Sequence, residues 1–173
     1  NQAVRIELIS AMPAELERRL LQDQLQLAIG YFSGNQNALD HQLLFSEQQT
    51  LYCAASHPLF SQPVITREEL DRCDHVQHAY RSISIHQPLQ ASLSSARCEQ
   101  VEGSLAFILS GAHIGYLPEH IAAPWVANGR LRALLPEQLG FNVDFHLTSH
   151  RGRHPGDAQL AFVEDMLGAF GPA

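Results

Sequence analysis

Cys73, His75 and His78 crowd one short stretch and His146 and His150 another, and these are the side chains best suited to hold a metal ion. Residues two apart on a strand share a face. Cys73 therefore groups with His75, while His78 falls on the opposite side, and His146 and His150 share a face of a second strand. A structural zinc site wants four converging ligands, which neither group reaches. The ten histidines are read as hydrogen-bonded or exposed side chains, with no metal and no cofactor expected. Nucleophilic chemistry has no better support, since the chain holds no glycine-flanked serine elbow, phosphate-cradling glycine loop or His-Glu-x-x-His helix. Ser104 follows Gly103, but serine is a favoured helix N-cap, and it is read as capping the helix after it. The open amides of that helix would receive an anionic or carbonyl group. These residues offer binding rather than catalysis, and no enzyme is expected.

The elements that must position them follow from periodicity. Val4, Ile6 and Leu8 alternate with Arg5, Glu7 and Ile9, the pattern of a strand, and Pro13 suits the first residue of a helix whose Leu16, Leu20 and Leu21 share one face. Leu25, Leu27 and Ile29 form a second strand ending at Gly30. Strand, helix, strand implies a parallel crossover. Gln42 to Phe45 and Thr50 to Ala55 read as two extended stretches separated by polar Ser46 to Gln49. His57-Pro58-Leu59 then breaks the chain direction, because proline removes a donor and restricts its predecessor. Thr66 to Glu69 forms a capping box opening a short helix that ends near Arg72.

A second alternation places strands at His75–His78, Arg97–Val101 and Ile114–Leu117, and helices near Pro88–Ser95, Ser104–Ser110 and Pro118–Val126. Asn128-Gly129 signals a turn before a strand at Leu131–Leu134. A long strand follows at Phe141 to Leu147, and an amphipathic helix closes the chain at Gln159–Phe170. Two α/β lobes are expected, residues 1–58 with 143–173 and residues 59–142, joined by two crossings at Leu51–Ile65 and Gly140–Thr148. Ligands in such sheets sit beyond the carboxyl ends of the parallel strands, in the crevice between lobes.

Composition narrows the class. With 173 residues, 45% hydrophobic and 17% charged, the chain folds as one domain or two small lobes. A net charge of -7, with eleven dispersed basic residues, all arginine, argues against a phosphate-binding face, so this chain by itself is not expected to grip DNA. Cys53, Cys73 and Cys98 are odd in number and widely spaced, which suits free thiols in a reducing cytoplasm. No run approaches the roughly 20 apolar residues of a membrane span.

Four segments in order resemble the effector domain of LysR-type transcriptional regulators: Leu25-Gln26-Leu27-Ala28-Ile29; Glu47 to Leu59, with its His57-Pro58-Leu59 ending; Gly111-Ala112-His113-Ile114-Gly115-Tyr116-Leu117-Pro118; and Gly129-Arg130-Leu131 with the long strand and helix behind it. Gln26 stands where the family has aspartate, and His113 where it has a second glycine, a position at which a glycine would adopt the backbone more cheaply. The resemblance implies a two-lobed periplasmic-binding-protein-like α/β fold (type 2), here without the first strand and helix of the domain.

It further implies a ligand-sensing regulatory module that binds a small-molecule inducer between lobes, and control of DNA through an absent N-terminal helix-turn-helix. It places the inducer at Ser10, Ala11 and Met12, at Tyr80, Arg81 and Ser82, at Val101, Glu102, Gly103 and Ser104, and at Tyr116 and Pro118. Assembly as a homodimer or homotetramer is implied, with helix Pro13–Leu21 of one copy against Ser104–Ser110 of another. The alternative is an extracytoplasmic solute-binding protein serving a transporter, which would carry a cleavable signal peptide in place of the helix-turn-helix.

Overall fold

The computed structural model describes residues 4–32, 36–78, 87–89 and 92–170. Helix α1 (Pro13–Leu21) is followed by strands β1 (Ala28–Gly30) and β2 (Leu39–Ala54), a 3-10 turn at Pro58–Ser61, helix α2 (Arg67–Asp71), and strands β3 (Asp74–His78) and β4 (Leu93–Cys98). Helix α3 (Val101–Leu109), strand β5 (Gly115–Pro118), helix α4 (Glu119–Ala127), strand β6 (Leu131–Ala133), helix α5 (Pro136–Leu139), strand β7 (Phe141–His150) and helix α6 (Asp157–Phe170) complete it. One sheet runs β1-β7-β2-β5 with β6 also paired to β2, and β3 and β4 form a second sheet. The chain divides into two compact units, Asn1–Ser46 with Asp144–Ala173, and Glu47–Val143.

In the first unit, α1 opens with Pro13 behind the N-cap Met12, where the missing proline donor would be unsatisfied in any residue. Leu16 and Leu20 pack with Ala28 and Leu39 as its core. The outer face carries Glu15, 2.7 Å from Arg18 and 2.6 Å from Arg19. β1 pairs antiparallel with β7, Ala28 opposite Thr148 and Gly30 opposite His146. The parallel crossover expected at this end is therefore not formed. Val4, Ile6 and Leu8, expected as a strand, have no regular structure and are 61%, 69% and 94% exposed. Alternation alone does not make a strand where no neighbour accepts its ladder bonds.

In the second unit, β2 passes unbroken through Ser46–Gln49, which was expected to separate two stretches. A ladder is built from backbone groups, and Gln49 and Thr50 pair with Pro118 and Leu117 of β5, while Tyr52 to Ala54 pair with β6. After β2, His57 Nδ1 accepts from Leu59 N at 3.2 Å. Arg132 Nη1 donates to the carbonyls of Leu59, Phe60 and Gln62 at 3.1, 2.7 and 2.6 Å, so the His-Pro-Leu turn is tied to β6. The Thr66–Glu69 capping box is present in both directions.

β4 runs parallel to β3, and His75 bridges Ile114 in parallel. α3 leads from β4 to Ile114, which bridges β3 in parallel, and so into β5. The boundaries differ from those read from the sequence. Leu93–Cys98 is strand, where a helix to Ser95 and a strand over Arg97–Val101 were expected. Pairing to β3 decides this, with Ser95 N donating to Asp74 Oδ1 at 2.8 Å. Gly115 is required by close approach, since a Cβ there would lie 2.5 Å from Val76 Cγ1. The left-handed backbone falls on Gly111, φ +81 after α3, and His113 is not among the positive-φ residues, so His113 carries none of the strain expected of it.

Candidate functional site

The site is built where β3, β4 and α3 meet. Parallel pairing sets His78 opposite Cys98, so the carboxyl ends of both strands arrive together, and the chain turns from β4 into α3. Such strand ends are where parallel sheets receive ligands. Beside β3 and β5 lies a small hollow lined by His75, Val76, Gln77, His78, Gln87, Leu89 and Tyr116, with room for roughly one or two water molecules.

His75 and His78 were read from alternation as facing opposite ways, yet they line the same hollow. The register shifts between Asp74 and Val76, and such an irregularity breaks the two-residue period. His75 is 4% exposed, its Nε2 3.1 Å from the Leu70 carbonyl. Burial lowers the His78 pKa, opposed by the Glu102 carboxylate, so His78 is neutral near pH 7 and holds one donor and one acceptor nitrogen. Burial pushes Tyr116 up to about 12, with the Leu89 backbone and Arg67 pulling it back. Its hydroxyl therefore stays protonated, and Phe141 holds the ring edge-on with centres 5.0 Å apart. Arg67, which also donates to the Pro88 carbonyl, puts a guanidinium within electrostatic reach of that hydroxyl.

α3 starts one turn earlier than its expected serine cap. Gln100 is the N-cap, and the amides of Gly103 and Ser104 close on its carbonyl at 3.1 and 3.3 Å. The open donors of this turn are thus those of Val101 and Glu102, ahead of the first intrahelical bond. Ser104 sits inside the helix, 1% exposed, and its Oγ has no hydrogen-bond partner among the described residues. Gly103 is there for Cys98: an added Cβ would meet Cys98 Sγ at 3.1 Å. The crowding that a larger residue would cause falls on the strand rather than on an approaching ligand.

Of the residues expected at a binding edge, Tyr116 lines the hollow, and Val101, Glu102, Gly103 and Ser104 form the first turn of α3. Pro118 is buried at the end of β5 as the N-cap of α4. Ser10, Ala11 and Met12 lead into α1 in the first unit, where the Met12 carbonyl accepts from the amides of Glu15 and Leu16. Tyr80, Arg81 and Ser82 lie outside the described residues. Sequence reasoning weighed His75 and His78 only as metal ligands and passed over Gln77, Gln87, Leu89 and Arg67. Nothing in their spacing marks them, because they come from separate segments of the chain. Cys73 takes no part: its Sγ donates to the Glu69 carbonyl at 3.2 Å, and burial raises its pKa. Among the described residues no three His, Cys, Asp or Glu side chains converge to hold a metal, and no helix is long and apolar enough to cross a membrane.

Comparison with known proteins gives three findings. The family model described as LysR substrate binding domain matches residues 1–171. The HTH-type transcriptional activator BauR of Pseudomonas aeruginosa is 34% identical over 164 residues, 93% of this chain and 54% of that protein, so the chain spans about half the length of this relative. Among solved structures, the effector-binding domain of QuiR in complex with shikimate aligns with a TM-score of 0.72 at 15% identity, covering 90% of this chain and 77% of that one. The Synechocystis CcmR regulatory domain in complex with 2-PG aligns at 0.73 and 12% identity, covering 91% and 79%.

Proposed function

Since the chain belongs to the family of LysR substrate-binding domains and has their periplasmic-binding-protein-like α/β fold, we propose that it is the module through which a transcriptional regulator senses a small molecule. The observation that carries this reading is the polar hollow beside β3 and β5, next to the first turn of α3. It offers the Tyr116 hydroxyl, the neutral His78 ring and two carboxamides. Such groups recognise a ligand by hydrogen bonding, with Arg67 supplying a cation at the margin. Val101 to Ser104, Tyr116 and Pro118 would form the second unit's share of the contacts. Ser10 to Met12, and Tyr80 to Ser82, are assigned to the same role from the family resemblance. The related structures with shikimate and 2-PG support a small polar effector, of which this hollow would receive one polar end.

No catalysis is needed. A regulator responds when the effector binds one conformation better than another, and the coupling equals that difference in affinity. In the parent regulator a separate helix-turn-helix would contact DNA, as the name of the BauR relative suggests. Two copies would pair with α1 of one against α3 of the other, and the protein would work in the cytoplasm. Both the family match and that relative favour this reading over a transporter's solute-binding protein.

The test is a thermal-shift screen of small hydroxy acids, carboxylates and amides against the 173-residue chain, followed by calorimetry on the hits. A saturable ligand should lose about 5- to 150-fold in affinity on Tyr116→Phe, the range of one lost buried hydrogen bond. Binding indifferent to both Tyr116→Phe and Gln77→Ala would remove this hollow as the site.

A further inference from the structure

The first unit holds a pair of imidazoles that sensing at the hollow does not use. His41 stands on β2 and His146 on β7, with ring centres 6.2 Å apart and planes at 81°. His41 Nδ1 lies 2.9 Å from the hydroxyl of Thr148, itself fully buried. The remaining nitrogen of His41, Nε2, and Nδ1 of His146 are both buried with no hydrogen-bond partner among the described residues. One such atom costs about 1–3 kcal/mol, so each of these two neighbouring rings holds a buried nitrogen short of a partner.

The chemistry of the pair says what that partner is. When His41 donates its Nδ1–H to Thr148, Nε2 is left with a lone pair. A hydroxyl or carbonyl that fixes tautomer and ring orientation from behind is the usual support of a metal-ligating histidine. Burial is the main influence keeping His41 uncharged, helped by His146 and Arg151 and opposed by Asp40. Two imidazoles on one tetrahedral ion, with bonds of about 2.0–2.1 Å, have ring centres roughly 5 Å apart. The rings stand 6.2 Å apart without an ion, so closing on one takes a ring shift of about 1 Å.

We propose that His41 and His146 form a two-imidazole site for a divalent transition-metal ion of the zinc or nickel type, with solvent completing the coordination. With no third protein ligand converging there among the described residues, the site is open rather than a closed structural tetrahedron. The ion it takes is therefore exchangeable.

Calorimetric titration of the 173-residue chain with Zn²⁺ tests this, with Co²⁺ absorption as the report of nitrogen ligation. One ion per chain is expected. His41→Ala and His146→Ala should each raise the dissociation constant ten-fold or more. Thr148→Val, which removes only the group behind His41, should raise it about ten-fold, at the low end for a supporting partner. Replacing half-buried His150 and exposed His154 together should change nothing, and affinity should fall on acidification because only the neutral imidazole ligates. If a variant at His146 does not fold, His41→Gln gives the same answer from the other ring. Zinc binding that survives loss of either His41 or His146, binding lost with His150 and His154, or no saturable binding at all would overturn the proposal.

Discussion

Ser104→Ala separates stability from recognition at the candidate site. Ser104 is 1% exposed in the first turn of α3, and its Oγ has no partner among the described residues. A buried unpaired hydroxyl costs about 1–3 kcal/mol, and serine is less favourable than alanine inside a helix by a few tenths. The small void left by removing the oxygen offsets part of that gain. Ser104→Ala should therefore stabilise the unliganded protein by about 0.5–2 kcal/mol. If Oγ instead waits for an effector, the same substitution should weaken binding of the screened ligand by about 1–3 kcal/mol. Urea unfolding of both proteins with and without saturating ligand reads both effects, and the two must have opposite signs. A loss of more than about 1 kcal/mol without ligand would mean that the hydroxyl is already satisfied in the fold. Unchanged affinity would mean that α3 does not meet the ligand.

Arg132→Met removes the donor shared by three carbonyls of the His-Pro-Leu turn. It should lower stability by about 2–4 kcal/mol, or roughly 5–15 °C in Tm for a chain of this size, and differential scanning calorimetry showing less than about 1 kcal/mol would argue that water replaces it. Gly115→Ala places a methyl 2.5 Å from Val76 Cγ1 and should cost about 1–3 kcal/mol; Val76→Ala in the same chain should recover much of it, and a double-mutant cycle without coupling would refute the contact. Burial lowers the pKa of His41, His57 and His78, so below about pH 6.5 the unfolded chain binds more protons than the folded one. The urea midpoint should fall as pH drops through that value and flatten below the folded-state pKa values. Glu47, raised by burial, acts with the opposite sign, so the decisive comparison is His57→Gln, which should show a shallower fall than wild type; a midpoint rising on acidification would contradict the assignment.

The α/β class, the His-Pro-Leu break, the Thr66–Glu69 cap and the closing helix were legible because each rests on interactions within a few residues. Thr66 meets Glu69 three positions away, and Pro58 constrains only its neighbours. Leu16 and Leu20 showed the buried face of α1 because helix periodicity is local. The errors cluster where partners are distant. Leu93 to Ser95 reads as the end of a helix until β3 offers it a ladder, and Val4 to Leu8 reads as a strand although no neighbour among the described residues accepts it.

The candidate site divides along the same line. Residue types and spacing offered no catalytic constellation, net charge argued against phosphate binding, and the expected recognition edge near Val101 to Ser104 and Tyr116 rested on the family resemblance. Only the tertiary structure brought Gln77, His78, Gln87 and Leu89 around one hollow, moved the start of α3 from Ser104 to Val101, and paired His41 with His146 across two strands. Local hydrogen bonds and periodicity are written in consecutive residues; burial, register and the company of an unpaired nitrogen are set by segments tens of residues apart, and no window of sequence contains them.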